Sequence, residues 1–309
     1  MASIQPSFSL FFLSLLLFLI SGAFSATFTI INQCSYTVWP GLLSGAGTPP
    51  LSTTGFSLQS SESTAIPVPA SWSGRVWGRT LCSTDSATGK FACATGDCGS
   101  GTVECGSGGA APPATLAEFT LDGGGGLDFY DVSLVDGYNL PMLVVPQNGT
   151  NDTTSGRKCT ATGCVVDLNG SCPSQLKVDG GNAYGSASVA CKSACDAFGD
   201  PQYCCSGAYA TPDTCKPSYY SEYFKSACPR AYSYAYDDGS STFTCASADY
   251  VITFCPTQAT SKKSTGGQYS GETNVSMVSS SSKLRCTLHT SLLIITGMVS
   301  ILTLFWLRY

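Results

Sequence analysis

From Ala26 to Gly41 the chain reads ATFTIINQCSYTVWPG, alternating apolar and polar positions with β-branched and aromatic side chains. That period of two predicts strand and turn. Short runs of the same character recur at Gly55 to Leu58, Gly74 to Thr80, Leu116 to Leu121, Leu127 to Leu134, Ser241 to Cys245 and Tyr250 to Phe254. Gly, Pro, Asn and Ser separate them, which points to an all-β sandwich or barrel. Between Cys159 and Cys228 cysteines crowd and alternation fades. There Tyr184 to Phe198 reads as helical in part and Ser218 to Ala227 as a short helix. No period of 20 to 50 residues repeats, so a solenoid is excluded.

The two ends differ from this body. Residues Met1 to Ser25 contain a short apolar run, Phe8 to Ile20, followed by Ala23-Phe24-Ser25. This is the pattern of a secretory leader, and Ala26 is the expected mature N-terminus. A membrane anchor is the alternative, but the run is shorter than the roughly 20 residues a span needs. Residues 257–282 are rich in Ser, Thr and Gly and read as a flexible linker. Residues 283–309 then supply a polar spacer through His289 and an apolar tail, Ser291 to Leu307. With the small residues Ser279 to Ser282 before them, they fit a GPI-attachment signal, with a single short span as the alternative.

Charge and composition narrow the function. Of 309 residues, 43% are hydrophobic and 11% charged, and the net charge is −5. That excludes a multispan membrane protein and a disordered chain. It also argues against nucleic acid as a partner, because phosphate binding needs a basic face. The single histidine, His289, lies in the tail. A Ser-His or Cys-His nucleophile and a His-ligated metal are therefore excluded for the body of the protein. Acid–base chemistry near neutral pH would fall to carboxylates. No cofactor or metal is expected.

Seventeen cysteines imply an oxidising compartment. Sixteen lie between Cys34 and Cys255, and the seventeenth, Cys286, would leave with a cleaved tail. Spacing alone gives no connectivity. The cysteine-dense segment looks too small to hold a core without cross-links. Four sequons begin at Asn148, Asn151, Asn169 and Asn274, the first two in a polar loop.

Chemistry concentrates in TLAEFTLDGGGGLDFYDVSLVDGYNLP, Thr115 to Pro141. It holds Glu118, Asp122, Asp128, Asp131 and Asp136 and no Lys, Arg or His. Gly123 to Gly126 force a turn between two strands. Asp128 and Asp131 have opposite parity and cannot share a face of a regular strand. Asp131 and Asp136 also differ in parity, so a bulge, or an Asp136 beyond the strand end, is needed to bring them together. The plain reading is a set of solvated carboxylates. The sharper reading is a negative cleft for a neutral polymer or a cation.

The block GKFACATGDC, Gly89 to Cys98, is followed by Gly101 and Cys105. Further blocks are NQCSYTVWPG near the start, GRVWGRT at Gly74 to Thr80, PATLAEF at Pro113 to Phe119 and DFYDVSLVDGYNLPM at Asp128 to Met142. QYCC at Gln202 to Cys205, AYSYAYDD at Ala231 to Asp238 and the closing FCP complete the set. Together they resemble the thaumatin-like, or osmotin-like, pathogenesis-related plant proteins, over Ala26 to Pro256. The resemblance implies eight disulfides: Cys34–Cys255, Cys82–Cys93, Cys98–Cys105, Cys159–Cys245, Cys164–Cys228, Cys172–Cys191, Cys195–Cys204 and Cys205–Cys215. It implies a flattened β-sandwich (about 26–80, 119–165 and 229–256), a small loop domain (about 81–118) and a disulfide-rich domain with a short helix (about 166–228). An interdomain cleft lined by one Arg and four acids is also implied. The matching positions are Arg75, Glu118, Asp131, Asp136 and Asp237, with Arg79, on the same strand face as Arg75, as the alternative cation.

From the resemblance follow three readings of function. The first is a monomeric, extracellular, antifungal protein that binds β-1,3-glucan. In the second, Glu118 as proton donor and Asp131 as nucleophile or base hydrolyse that glucan weakly. The third is a cell-surface scaffold or receptor-side module with no carbohydrate activity. Phe129, Tyr130 and Tyr138 are candidates to stack on sugar rings where exposed, with core packing the favoured reading for Phe129. Under the GPI reading, phosphatidylinositol-specific phospholipase C releases the protein from membranes. Retention, with Trp306 present in the mature mass, would establish the span instead.

Overall fold

The computed structural model describes residues 24–150, 159–181 and 187–257. The leader before Phe24, the sequons at Asn151 and Asn274, the linker and the tail lie outside them. The described strands are β1 (Phe24–Asn32), β2 (Trp39–Ser44), β3 (Ser63–Pro69), β4 (Ser73–Thr84), β5 (Phe91–Thr95), β6 (Leu116–Thr120), β7 (Asp128–Ser133), β8 (Met142–Gln147), β9 (Thr162–Cys164), β10 (Lys177–Asp179), β11 (Ser188–Cys191), β12 (Phe243–Cys245) and β13 (Asp249–Phe254). The α-helices are short: α1 (Ala194–Phe198), α2 (Pro201–Cys204), α3 (Tyr219–Ala227) and α4 (Asp238–Ser241).

A five-stranded sheet runs β3-β1-β13-β8-β9 and a six-stranded sheet runs β12-β7-β6-β4-β2, with β5 paired to β4. β10 and β11 form a separate ribbon. The first and last strands pair in parallel, Phe28 opposite Tyr250, so the two ends of the domain close one sheet.

Alternation decides which residues lie between the sheets. On β6, Ala117 and Phe119 are buried while Glu118 and Thr120 face outward. On β7, Asp128, Tyr130 and Val132 are buried while Phe129 and Asp131 are half-buried. Rings from both sheets meet in the core. Phe28 lies 4.5 Å from Phe119 and 5.5 Å from Trp72, and Tyr250 lies 5.1 Å from both Phe119 and Tyr130. Each such pair contributes about 0.5–1.5 kcal/mol beyond the area it buries.

Asp128 belongs to this core, not to the solvated surface that acidic composition suggests. Its Oδ2 accepts from the Tyr250 hydroxyl at 2.8 Å and its Oδ1 from the Asp122 amide at 3.0 Å. Burial pushes its pKa up, and those hydrogen bonds oppose the rise.

Some elements depart from the sequence expectation. Within Tyr184 to Phe198, expected to be helical in part, Ala194–Phe198 is helical, and among the described residues Ser188–Cys191 is strand. Ser193 caps that helix by accepting from the Asp196 amide. Gly55 to Leu58 makes only isolated bridges, Gly55 to Gly41 and Leu58 to Val38. A Cβ at Gly55 would meet Arg79 Nη2 at 2.7 Å. β3 carries Pro67 and Pro69, which hide a strand from pattern reading and confine it to a sheet edge. The expected helix at Ser218 is present as α3, where Ser218 and Ser221 form a reciprocal cap.

A second, smaller apolar cluster of Trp77, Cys105, Ala114 and Leu116 sits apart from the main core. Trp77 and Leu116 are cross-strand partners, so β6 joins the sheet from Leu116, inside the stretch expected to be loop domain. Arg79 is fully buried, donating to the carbonyls of Trp39, Pro40 and Val103, with its guanidinium 5.5 Å from the Phe91 ring centre. It ties the 98–105 loop to the sheet and is not the cation of a cleft.

Eight disulfides join Cys34 to Cys255, Cys82 to Cys93, Cys98 to Cys105, Cys159 to Cys245, Cys164 to Cys228, Cys172 to Cys191, Cys195 to Cys204 and Cys205 to Cys215. Cys164 and Cys228 are buried in the main core. Replacing both by Ala should cost about 2–5 kcal/mol. At about 2–4 °C per kcal/mol for a domain of this size, thermal melting should fall by roughly 5–20 °C. A double variant as heat-stable as the parent would show that packing alone holds this module.

Candidate functional site

Three neighbouring strands carry Arg75, Glu118 and Asp131 outward. In register, Arg75 of β4 stands opposite Glu118 of β6, and Glu118 stands opposite Asp131 of β7. Opposed residues of an antiparallel pair have Cβ atoms about 4.5–5.5 Å apart. The three side chains thus form one row across the sheet. Arg75 Nε lies 4.0 Å from Glu118 Oε1, and both side chains are 40% exposed. A cavity of about 340 Å³ opens over the row, with Ser44, Ser73, Thr120 and Phe129 also in its lining.

Phe129 is a correction to the expected core assignment. It shares the outward parity of Asp131 and is left half-buried in the cavity wall. Tyr130 and Tyr138 are the buried pair instead, their hydroxyls donating to the carbonyls of Thr160 and Val166.

Asp136 lies beyond the end of the strand. β7 ends at Ser133, and a turn closed by Gly137 N–H to Leu134 O follows, with Gly137 at φ 89°. A side chain strains that backbone region, so glycine suits it. From there the Asp136 charge acts on Glu118.

Asp237 does not join them. Its Oδ2 lies 2.8 Å from Lys225 Nζ and accepts from the amide and hydroxyl of Ser233, and its Oδ1 accepts from Ser240. These bonds hold the segment that carries Tyr232 and Asp238. The charge that acts on Asp131 is that of Asp238. Tyr232 donates to Asp238 Oδ1 at 2.9 Å and shares a hydrogen bond with Thr242. Its backbone amide donates to Val132 O, which seats it beside β7. Burial, first of several causes, pushes its hydroxyl up to about 12. Tyr232 and Asp238 both lie within AYSYAYDD, but pattern could not choose between two adjacent acids at a helix start.

The electrostatics follow from one cation among several acids. Glu118 is pushed up by burial, pulled back by Arg75 and pushed up again by Asp136. Among the described residues no cation pairs with Asp131. Burial, then Glu118, then Asp238 push it up to about 8, and its buried Oδ2 has no hydrogen-bond partner. Near neutral pH Asp131 therefore keeps its proton, while Glu118 is the carboxylate that Arg75 faces.

Among the described residues no group of three or more His, Cys, Asp or Glu is arranged to hold a metal ion. Asn148 is exposed at the end of β8. Asn169 is half-buried, and its amide nitrogen donates to the carbonyls of Asn139 and Val189. A glycan on that nitrogen would compete with both bonds.

The sign of the pH effect follows from Asp131. A raised folded-state pKa means that the native state binds the proton more tightly than the unfolded chain does. Its contribution to stability is thus complete below about 4 and is lost as pH rises toward about 8. Asp131→Asn should remove this decline, so the variant gains on the parent with rising pH, by a few kcal/mol at most. Melting temperatures from pH 4 to 9 test it; parallel curves would reject the assignment.

The thaumatin family matches residues 32–256 of the chain. "Thaumatin-like protein 1" of Arabidopsis thaliana is 57% identical over 240 residues, 76% of this chain and 88% of that protein. "Glucan endo-1,3-beta-glucosidase" of Prunus avium is 55% identical over 245 residues, 79% of this chain and 96% of that one. "PR5-like receptor kinase" of Arabidopsis thaliana is 53% identical over 269 residues, 87% of this chain but 39% of the kinase.

Proposed function

The chain belongs to the thaumatin family, and from that premise we propose that the cavity over Arg75, Glu118 and Asp131 binds β-1,3-glucan of a microbial wall. The observation that carries this is the in-register row. A neutral polysaccharide offers hydroxyls that both donate and accept. The row answers with the N–H donors of Arg75, the acceptor oxygens of Glu118 and, in a protonated Asp131, a group that does both. Phe129 adds an apolar surface for a sugar face. The protein in this reading is an extracellular, monomeric, antifungal protein held at the cell surface by a GPI anchor.

A second reading, weak hydrolysis, is favoured by the unequal carboxyls and by the name of the Prunus avium relative. One protonated and one ionised carboxyl is the division of labour of a glycosidase. Asp131 would then protonate the leaving oxygen and Glu118 would act as the nucleophile. Direct cross-strand opposition favours the short separation, about 5–5.5 Å, that goes with retention of configuration.

Pull-down on insoluble β-1,3-glucan, run beside reducing-sugar release, separates the two. For a binder the parent is retained without release, and Glu118→Gln weakens retention by about 1.5–3 kcal/mol, the worth of a charged hydrogen bond. For an enzyme, Asp131→Asn keeps the polymer bound while release falls by roughly 10²–10⁴-fold. A parent that neither binds nor cuts the polymer would overturn both.

A further inference from the structure

The sheet face that carries Arg75, Glu118 and Asp131 holds an in-register row on either side of them. On one side Trp77, Leu116 and Ser133 stand opposite one another on β4, β6 and β7. All three are buried, and Trp77 and Leu116 belong to the smaller apolar cluster. On the other side stand Ser73, Thr120 and Phe129. All three line the same cavity as the charged row. Thr120 is exposed, and Ser73 and Phe129 are half-buried. Residues two apart on a strand are separated by about 6.5–7 Å, the scale of one hexose. Along the strands, the cavity is therefore covered at one end and open over a neutral row at the other.

The neutral row has the chemistry of a sugar subsite. Ser73 Oγ and Thr120 Oγ1 lie 3.4 Å apart, two hydroxyls that each donate and accept. Phe129 supplies an apolar ring beside them. A Cβ at Gly123 would lie 3.0 Å from that ring, so a bare glycine backs it. Charge is confined to the neighbouring row. Arg75 is the one cation among the described residues of the cavity lining, and Glu118 faces it. An anionic sugar over Ser73 and Thr120 would give up water for no counter-charge.

We propose that Ser73, Thr120 and Phe129 bind the sugar next to the one over the charged row, that the glucan chain leaves the cavity along the strands, and that this subsite admits only uncharged sugar. This rests on the glucan reading and deepens it. The buried Trp77–Leu116–Ser133 row closes the opposite direction, so a chain that continues along the strands continues over Thr120. The C–H face of a sugar packs on the Phe129 ring while its hydroxyl edge reaches Ser73 and Thr120. One polymer engages both rows, which makes the second contact intramolecular.

The test compares pull-down on neutral β-1,3-glucan with binding to the same polymer carboxymethylated. The variants are Thr120→Lys, Phe129→Ala, Phe129→Tyr and, as a control, Ser86→Lys at the exposed turn between β4 and β5. The parent should prefer the neutral polymer by about tenfold or more. Thr120→Lys should cut that preference by about tenfold, and Ser86→Lys should leave it unchanged. Phe129→Ala should lose about tenfold for the neutral polymer, and Phe129→Tyr, which keeps the ring, should bind as the parent does. If Phe129→Ala melts below the parent, the Thr120→Lys result decides, since that position is exposed. A preference that Thr120→Lys leaves intact, or that Ser86→Lys shifts as far, would overturn the subsite. So would a parent that binds both polymers equally. If Glu118→Gln weakens neutral binding while Thr120→Lys and Phe129→Ala do not, the cavity reading stands and the subsite alone falls. A parent that binds no neutral glucan removes both.

Discussion

The pleat of β4, β6 and β7 is the constraint on which the site depends. Successive side chains of a strand point to opposite faces, so the packing of Val76, Ala117, Phe119 and Val132 against the other sheet leaves their neighbours no choice. Arg75, Glu118 and Asp131 are those neighbours, and the register aligns them. A slip of one residue on β6 would send Glu118 into the aromatic core and Phe119 into the cavity. The core therefore specifies the site, because the hydrophobic cost of a slipped register falls on the same strands that carry the charges.

The charge pattern of the row follows from its seating. A carboxyl taken partly out of water holds its proton unless a cation compensates. Arg75 compensates Glu118 and, at the far side of it, Asp131 is left with two negative neighbours. Two other cations, Arg79 and Lys225, serve structure. Arg79 spends its donors on three backbone carbonyls, and Lys225 is held by Asp237, Ser241 and the Ala231 carbonyl.

Much was legible in sequence. Alternation and glycine turns predicted β6, the turn and β7. The parity of Asp131 and Asp136 required a bulge, or an Asp136 past the strand end, for the two to come together, and Asp136 lies past the end of β7. The cysteine order, read through a family resemblance, named the eight pairs that the structure contains. Ser218 to Ala227 was legible as a short helix, and α3 spans Tyr219–Ala227. These are local signals, or signals carried by residue order, and they survive without knowledge of distant contacts.

Three things could be decided only by the fold. Parity put Arg75 and Arg79 on one face, but the loop around Val103 covers Arg79 and leaves Arg75 open, and no spacing rule reports which stretch of a face is roofed. Asp237 and Asp238 are adjacent and alike in sequence, and it is Lys225, on α3, that claims the first and leaves the second to act on Asp131. Glu118 and Asp131 are both acids of one hairpin, and burial raises both, while the Arg75 guanidinium on a third strand offsets that rise at Glu118. The sequence by itself determined strands such as β4, β6, β7 and β13 and the parity of their acids, because these depend on period, and the disulfide pairs came through the family resemblance, while β3 and the half-exposed Phe129 escaped it. The tertiary structure alone decided covering, pairing and protonation, because each depends on which group from elsewhere in the chain comes within a few ångströms.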